Sequence, residues 1–155
     1  MGLGYVGLSN SVLLAQHNEV IGVDLSEDRV KLINDKKSPI VDAELSKFLK
    51  QKNLNFSATT DLRRAVVGAD YIIISTPTNY DDRKNFFDTT SVENVIKKVL
   101  QTSPAACIVV KSTIPVGFID EIRHKLNSNS IMFSPEFLRE GRALRDNLYP
   151  NRIIV

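Results

Sequence analysis

The first 24 residues, Met1 to Asp24, read MGLGYVGLSNSVLLAQHNEVIGVD. Gly2-x-Gly4-x-x-Gly7 has the spacing of a dinucleotide-binding turn. In such a turn the first glycine permits the tight bend and the second lets backbone approach a pyrophosphate. The third lets the following helix pack closely on a sheet. A helical pattern follows, with Val6, Leu13 and Leu14 apolar, ending near His17-Asn18. Its N-terminus would offer unpaired N–H groups and a positive dipole end to phosphates. Glu19 to Asp24 then reads as a short buried strand closing on an acid ~20 residues after the glycines, as the fingerprint asks. Asp24 is expected to accept hydrogen bonds from the adenosine ribose. A 2′-phosphate there would meet a carboxylate, so the reading favours NAD over NADP, with Arg29 in the next helix as a secondary contact. The plain alternative is a flexible start followed by a surface turn acid.

The pattern continues outward from this unit. Ser26 reads as an N-cap, with Glu27 and Asp28 in the favoured acidic first turn of a helix to about Asn34. Asp42 caps a helix through Lys50. Asn55 to Thr60 reads as a strand, and Asp61 opens a helix ending at Gly68. Asp70 to Thr76 is a buried strand, Asn79 to Asp88 a long polar loop, and Ser91 to Leu100 a helix. Ala106 to Thr113 is another buried strand, and Pro115 suits the first turn of a helix to about Leu126. Ser130 to Ser134 is a strand, residues 136–150 are irregular or short-helical, and Arg152 to Val155 read as a final strand. Strands alternate with helices and are apolar runs, which predicts an α/β fold, a Rossmann-type doubly wound parallel sheet. The usual order 3-2-1-4-5-6 places a first strand ahead of the glycine turn, in the centre of the sheet. None is present before Met1, so that strand is expected to be truncated, the turn to lack its anchor, and two strands to lose a partner. A fragment of a larger protein is the preferred explanation.

The totals agree with one ordinary domain. There are 155 residues, 43% hydrophobic and 25% charged, with a net charge of +2. That charge is too small to argue for nucleic acid or a membrane surface as partner. No apolar run approaches the ~20 residues of a membrane span, and no signal peptide is visible. The single cysteine, Cys107, excludes an internal disulfide, which fits a reducing cytoplasm. No cluster suggests a metal, and His17 and His124 read as surface residues near helix ends.

Three further segments follow successive strands: Thr76-Pro77-Thr78-Asn79-Tyr80, Lys111-Ser112-Thr113-Ile114-Pro115-Val116-Gly117 and Ser134-Pro135-Glu136-Phe137-Leu138-Arg139-Glu140-Gly141. All sit at the C-terminal ends of strands, where open α/β sheets bind ligands. With the GLGYVG turn, Phe86-Phe87-Asp88 and Tyr149-Pro150-Asn151-Arg152, they resemble the UDP-glucose/GDP-mannose dehydrogenase family, collinearly over nearly the whole chain. The resemblance implies an NAD-binding domain over residues 1–155, without the family's central helix and UDP-binding domain. It implies oxidation of the C6 alcohol of a nucleotide sugar, UDP-glucose before the alternatives UDP-N-acetylmannosamine and GDP-mannose, with two NAD in turn. It also implies a cytoplasmic enzyme whose parent is a homodimer.

Carried onto this chain, the resemblance places the cofactor on Gly2, Gly4, Tyr5, Val6, Gly7, Asp24, Arg29 and Thr78, with Thr113 and Glu140 near its reactive end. Thr113 would also place the hydrolytic water. Glu140 would act as general base or orient that water. Glu136 would lie beside nicotinamide and sugar, and Glu136, Phe137, Leu138, Arg139 and Glu140 would touch the substrate. The bland readings stand beside these: the threonines as caps or turn formers, the glutamates as exposed loop acids, Arg139 as a phosphate ligand or an ion-pair partner. Cys107 lies in an apolar strand and reads as core. The family's cysteine nucleophile, which carries the thioester, belongs beyond Val155 and this segment does not supply it. On its own the chain is therefore expected to have little or no dehydrogenase activity. A non-catalytic dinucleotide-binding module is the reading from another class.

Overall fold

A computed structural model describes residues 1–50, 53–82 and 86–155. Arg83 and Lys84, read above as solvated loop cations, lie outside the described residues. The elements alternate: α1 (Tyr5–Leu14), β1 (Val20–Val23), α2 (Glu27–Asn34), α3 (Ala43–Leu49), β2 (Phe56–Thr59), α4 (Leu62–Val66) and β3 (Tyr71–Ile74). A hairpin of β4 (Asn79–Asp81) and β5 (Phe86–Asp88) follows. The chain continues with α5 (Thr90–Thr102), β6 (Cys107–Val110), α6 (Phe118–Leu126), β7 (Ile131–Phe133) and α7 (Ala143–Leu148). The helix starts follow their sequence signals. Ser26, Asp42 and Asp61 each accept the backbone N–H three residues on, from Arg29, Leu45 and Arg64, replacing donors that a helix start leaves unpaired.

The large strands pair in parallel, β1 with β2 and β6 with both β3 and β7. Two hydrogen-bonded sheets result, β2-β1 and β3-β6-β7. Met1 to Leu3 runs between them. The Met1 amine donates to Ile73 O at 2.8 Å and Ser75 N donates to Met1 O at 2.8 Å. On the other side Gly2 N donates to Val23 O at 2.8 Å, and Leu3 N donates to Asp24 Oδ2 at 2.8 Å. The sheet is divided as expected, but the expectation of an unanchored turn is corrected. Three residues are enough because their backbone groups reach both flanking strands.

The core lies in two clusters. One is built on β3, β6 and β7, where Ile74, Ile108, Val110 and Ile131 are fully buried under α4, α5 and α6. Val92, Ile96 and Val99 give α5 its buried face at helical spacing. The other joins Leu3, Leu8, Val12, Leu45 and Leu144 from the turn, α1, α3 and α7. Each such side chain contributes roughly 1.5–3 kcal/mol by leaving water.

Asn34 closes the outer edge of β2. Its Nδ2 donates to Ala58 O at 2.9 Å and its Oδ1 accepts from Ala58 N at 2.8 Å, replacing the two bonds a neighbouring strand would make. Asn34→Ala is expected to destabilise the domain by about 1–2 kcal/mol, read as a lower midpoint in urea.

Three local expectations are corrected. Asn79 to Asp88 contains an antiparallel hairpin rather than only loop, with Tyr80 opposite Phe87 and their ring centroids 4.7 Å apart. A cross-strand aromatic pair of this kind stabilises pairing that polar neighbours conceal. Pro115 precedes α6 instead of entering it, because Gly117 adopts φ 88° and starts the helix at Phe118. Arg152 to Val155 form no strand: Ile153 and Val155 are about three-quarters exposed, and Arg152 lies 4.1 Å over the Phe137 ring. A run of apolar residues needs a neighbouring strand to become one, and none of the described strands pairs with it.

Candidate functional site

The glycine turn is built by close approach. A Cβ on Gly7 would lie 1.7 Å from Gly2 O, and one on Gly2, at φ 81°, would lie 2.6 Å from Ser75 O. Gly4 caps α1 without a side-chain hydrogen bond, and the first turn carries no acid. The dipole end of α1 is thus left to an incoming anion. Beside it, Ser75 Oγ is buried and makes no hydrogen bond among the described residues. These features fit the pyrophosphate of a dinucleotide.

Asp24 stands just past the end of β1. Its Oδ2 accepts from Leu3 N at 2.8 Å and from Arg29 Nη1 at 3.1 Å, and its Oδ1 from Ser26 N at 3.0 Å. Burial pushes this carboxyl up, but the backbone bonds from Leu3 and Ser26, joined by Arg29, outweigh it and hold the group below the usual carboxylate range. Two carboxylate oxygens offer about four acceptor positions. Oδ1 therefore keeps room for one further donor, and a second ribose hydroxyl would have to displace Arg29 from Oδ2.

A cleft of about 560 Å³ opens where β3, β6 and β7 end, against the start of α1. It brings together Val6, Thr78, Thr113, Glu136 and Leu138 of the sequence-predicted residues. Its size suits a ligand of moderate mass. Thr113 is exposed on its wall, while Thr78 and Glu136 are half-buried. Phe137, Arg139 and Glu140 do not line it. Phe137 stacks with Arg152. Arg139 forms a fork on Asp146, with Nε–Oδ2 at 3.1 Å and Nη2–Oδ1 at 2.7 Å, which holds the Asp146 carboxyl down to about 2. Of the two readings open for Arg139, this structure shows the ion pair. Glu140 is exposed in the turn ahead of α7.

Sequence reasoning missed four residues here. Lys111 and Ser112 line the cleft, as does Ser75. Asn10, on α1, is only 7% exposed and donates to Glu136 Oε2 at 2.9 Å. A signal existed: Ser9 and Asn10 are poor helix-interior residues set between the buried Leu8 and Val12. Asp42 also does more than cap α3. While Oδ1 accepts from Leu45 N, Oδ2 accepts from Leu144 N at 3.2 Å, so one buried carboxylate ties α3 to the start of α7. Asn147 Nδ2 donates to Ser9 Oγ at 2.8 Å. The segment carrying Glu136 is thus fixed to α1 and α3.

Cys107 begins β6, half-buried. It stands four residues before Lys111 and so about 13 Å along the strand from the cleft. Among the described residues no His, Cys, Asp and Glu group could hold a metal, and no helix is long and apolar enough to cross a membrane. His17 and His124 are exposed.

Residues 1–155 match the UDP-glucose/GDP-mannose dehydrogenase family, NAD binding domain. The chain belongs to this family. The UDP-glucose 6-dehydrogenase of Streptococcus pneumoniae is 53% identical over 99% of the chain, and that of Campylobacter jejuni 45% identical over all of it. Each alignment spans about 40% of the relative. Among solved structures, a GDP-mannose dehydrogenase from Pseudomonas aeruginosa in a ternary complex superposes with a TM-score of 0.83 at 31% identity. It covers 98% of this chain and 38% of that one. A UDP-glucose dehydrogenase from Pyrobaculum islandicum gives 0.84 at 27%, with the same coverages. As a UDP-glucose/GDP-mannose dehydrogenase NAD-binding domain, the chain has NAD as its cofactor and a Rossmann-type fold. The division of the sheet by Met1–Leu3 is compatible with that fold, since β2-β1 and β3-β6-β7 keep the doubly wound order on either side of it.

Proposed function

We propose that this domain binds NAD and contributes one wall of the active site of an enzyme that oxidises the C6 alcohol of UDP-glucose to the carboxylate. The observation that carries the reading is the cleft that runs from the glycine turn at Val6 to Thr113 and Glu136. NAD supplies the hydride-accepting ring. The chain's own residues supply its placement. The α1 N-terminus receives the pyrophosphate, Asp24 the adenosine ribose, and Thr78 and Thr113 the path toward the reactive end. Glu136 reaches the sugar side of the cleft. Glu140, exposed ahead of α7, stands ready to contact substrate or a hydrolytic water, and Phe137, Leu138 and Arg139 border that approach. The relatives named UDP-glucose 6-dehydrogenase support the choice of sugar.

The test has two parts. Calorimetry on the 155-residue chain is expected to show binding of NAD and not NADP. The complete dehydrogenase carrying these residues is expected to form NADH with UDP-glucose faster than with UDP-N-acetylmannosamine or GDP-mannose. Faster turnover of either alternative would reassign the sugar. The 155 residues alone are expected to form no NADH, since their single cysteine lies at the far end of β6; turnover by this chain would refute the division of labour.

A further inference from the structure

We infer that Asn10 and Lys111 are positioning residues that anchor one oxygen of the Glu136 carboxylate and leave the other facing the cleft. The inference rests on the proposed place of Glu136 beside the reacting sugar. Both groups converge on Oε2: Asn10 Nδ2 donates to it at 2.9 Å and Lys111 Nζ forms an ion pair with it at 3.4 Å. Among the described residues Oε1 makes no hydrogen bond, and it is not closed off from solvent. A carboxylate held this way cannot rotate about its terminal torsion without losing both donors, so Oε1 is the oxygen a ligand meets.

Both groups are also held by other parts of the chain. Lys111 Nζ also donates to Ser134 O at 3.3 Å and lies 3.5 Å from Ser134 Oγ. Asn10 Nδ2 gives its second proton to Val6 O at 2.8 Å. Lys111 therefore stands on the cleft wall with its ammonium drawn toward Glu136 and Ser134. Asn10 lies one turn after Val6 on the helix whose start receives the pyrophosphate. Through it, the spacing between the phosphate end of the site and Glu136 is set by a single rigid helix. Preorganisation of this kind matters because a displacement of ~1 Å at a reacting group can cost about 100-fold in rate.

The experiment uses the complete dehydrogenase carrying these residues. Lys111→Met and Asn10→Ala are expected to lower kcat about 10- to 100-fold while KM for NAD and the NAD dissociation constant stay within about threefold. Lys111→Arg is expected to recover part of the loss. Asn10→Asp keeps the shape but sets a carboxylate against Oε2, and is expected to be worse than Asn10→Ala in kcat. A thermal-unfolding cycle of Asn10→Ala and Glu136→Ala gives a readout that needs no turnover, and non-additive shifts in Tm are expected. Wild-type kcat in the well-folded variants, or additive shifts, would overturn the clamp. If the wild-type enzyme oxidises no nucleotide sugar, the functional reading fails, and the Tm cycle alone still decides whether the Asn10–Glu136 link exists.

Discussion

Gly7→Ala is expected to abolish measurable NAD binding and to destabilise the domain by roughly 3 kcal/mol. The added methyl would stand 1.7 Å from Gly2 O and 3.4 Å from Ser75 Oγ. No rotamer change relieves a clash with backbone oxygen, so the turn or α1 has to move. Movement of the turn breaks the bonds from Gly2 N to Val23 O and from Leu3 N to Asp24, which tie it to β1. Movement of α1 lifts Leu8 and Val12, both fully buried, out of their cluster. Gly4→Ala is the control, because nothing lies within 4 Å of a Cβ there. That variant is expected to unfold within about 1 kcal/mol of wild type, the range of a glycine-to-alanine change without steric conflict. It should still weaken NAD, since backbone at the second glycine is what approaches the pyrophosphate. Thermal unfolding and calorimetry on the two variants separate the role of the turn in folding from its role in binding. A Gly7→Ala protein that binds NAD normally would remove the turn from the site.

How far the sequence could be read depended on how local each interaction is. The caps Ser26, Asp42 and Asp61 bond to N–H groups three residues away, so residue type and position suffice to place them. The apolar runs of β3 and β6 announce strands in the core, buried on the face of Ile72, Ile74, Ile108 and Val110 and only partly on the other, and the glycine spacing announces its own turn. The hairpin at Asn79–Asp88 depends on Tyr80 meeting Phe87, a contact that a run of polar and charged neighbours hides. The second bond of Asp42 crosses 102 residues to Leu144, and the bond from Asn10 to Glu136 crosses 126. No window along the chain contains both ends of either. The same holds for Lys111: in sequence it is one of three polar residues that end an apolar strand, and only the approach of Ser134 and Glu136 from the end of β7 gives it a task. Family resemblance pointed to Glu136; it took the fold to show what holds it.

Asp24→Ala is expected to raise the NAD dissociation constant by more than about tenfold and to cost about 3 kcal/mol of stability. The side chain is 9% exposed and accepts from Leu3, Ser26 and Arg29, so alanine strands the N–H of fully buried Leu3 and frees the Arg29 guanidinium. A free arginine at the ribose end no longer faces a competing carboxylate. NADP should therefore gain on NAD, and the ratio of their affinities is the quantity to measure. Asp24→Asn separates charge from geometry, since it keeps an acceptor oxygen for Leu3 while losing the attraction for Arg29. Acid gives an independent check. The folded carboxyl lies below its unfolded value of about 4, held there against burial by Leu3, Ser26 and Arg29. Its stabilisation is therefore complete above that pH and is lost as pH falls through the folded value. The stability gap between wild type and Asp24→Asn should close as pH falls below about 4, after widening somewhat between about pH 8 and 5 as the Met1 amine, lowered by burial to about 6 and attracted by Asp24, takes up its proton. A gap that did not close below about pH 4 would mean that Asp24 is not held as an ionised acceptor, and with it would go the argument that this residue chooses NAD.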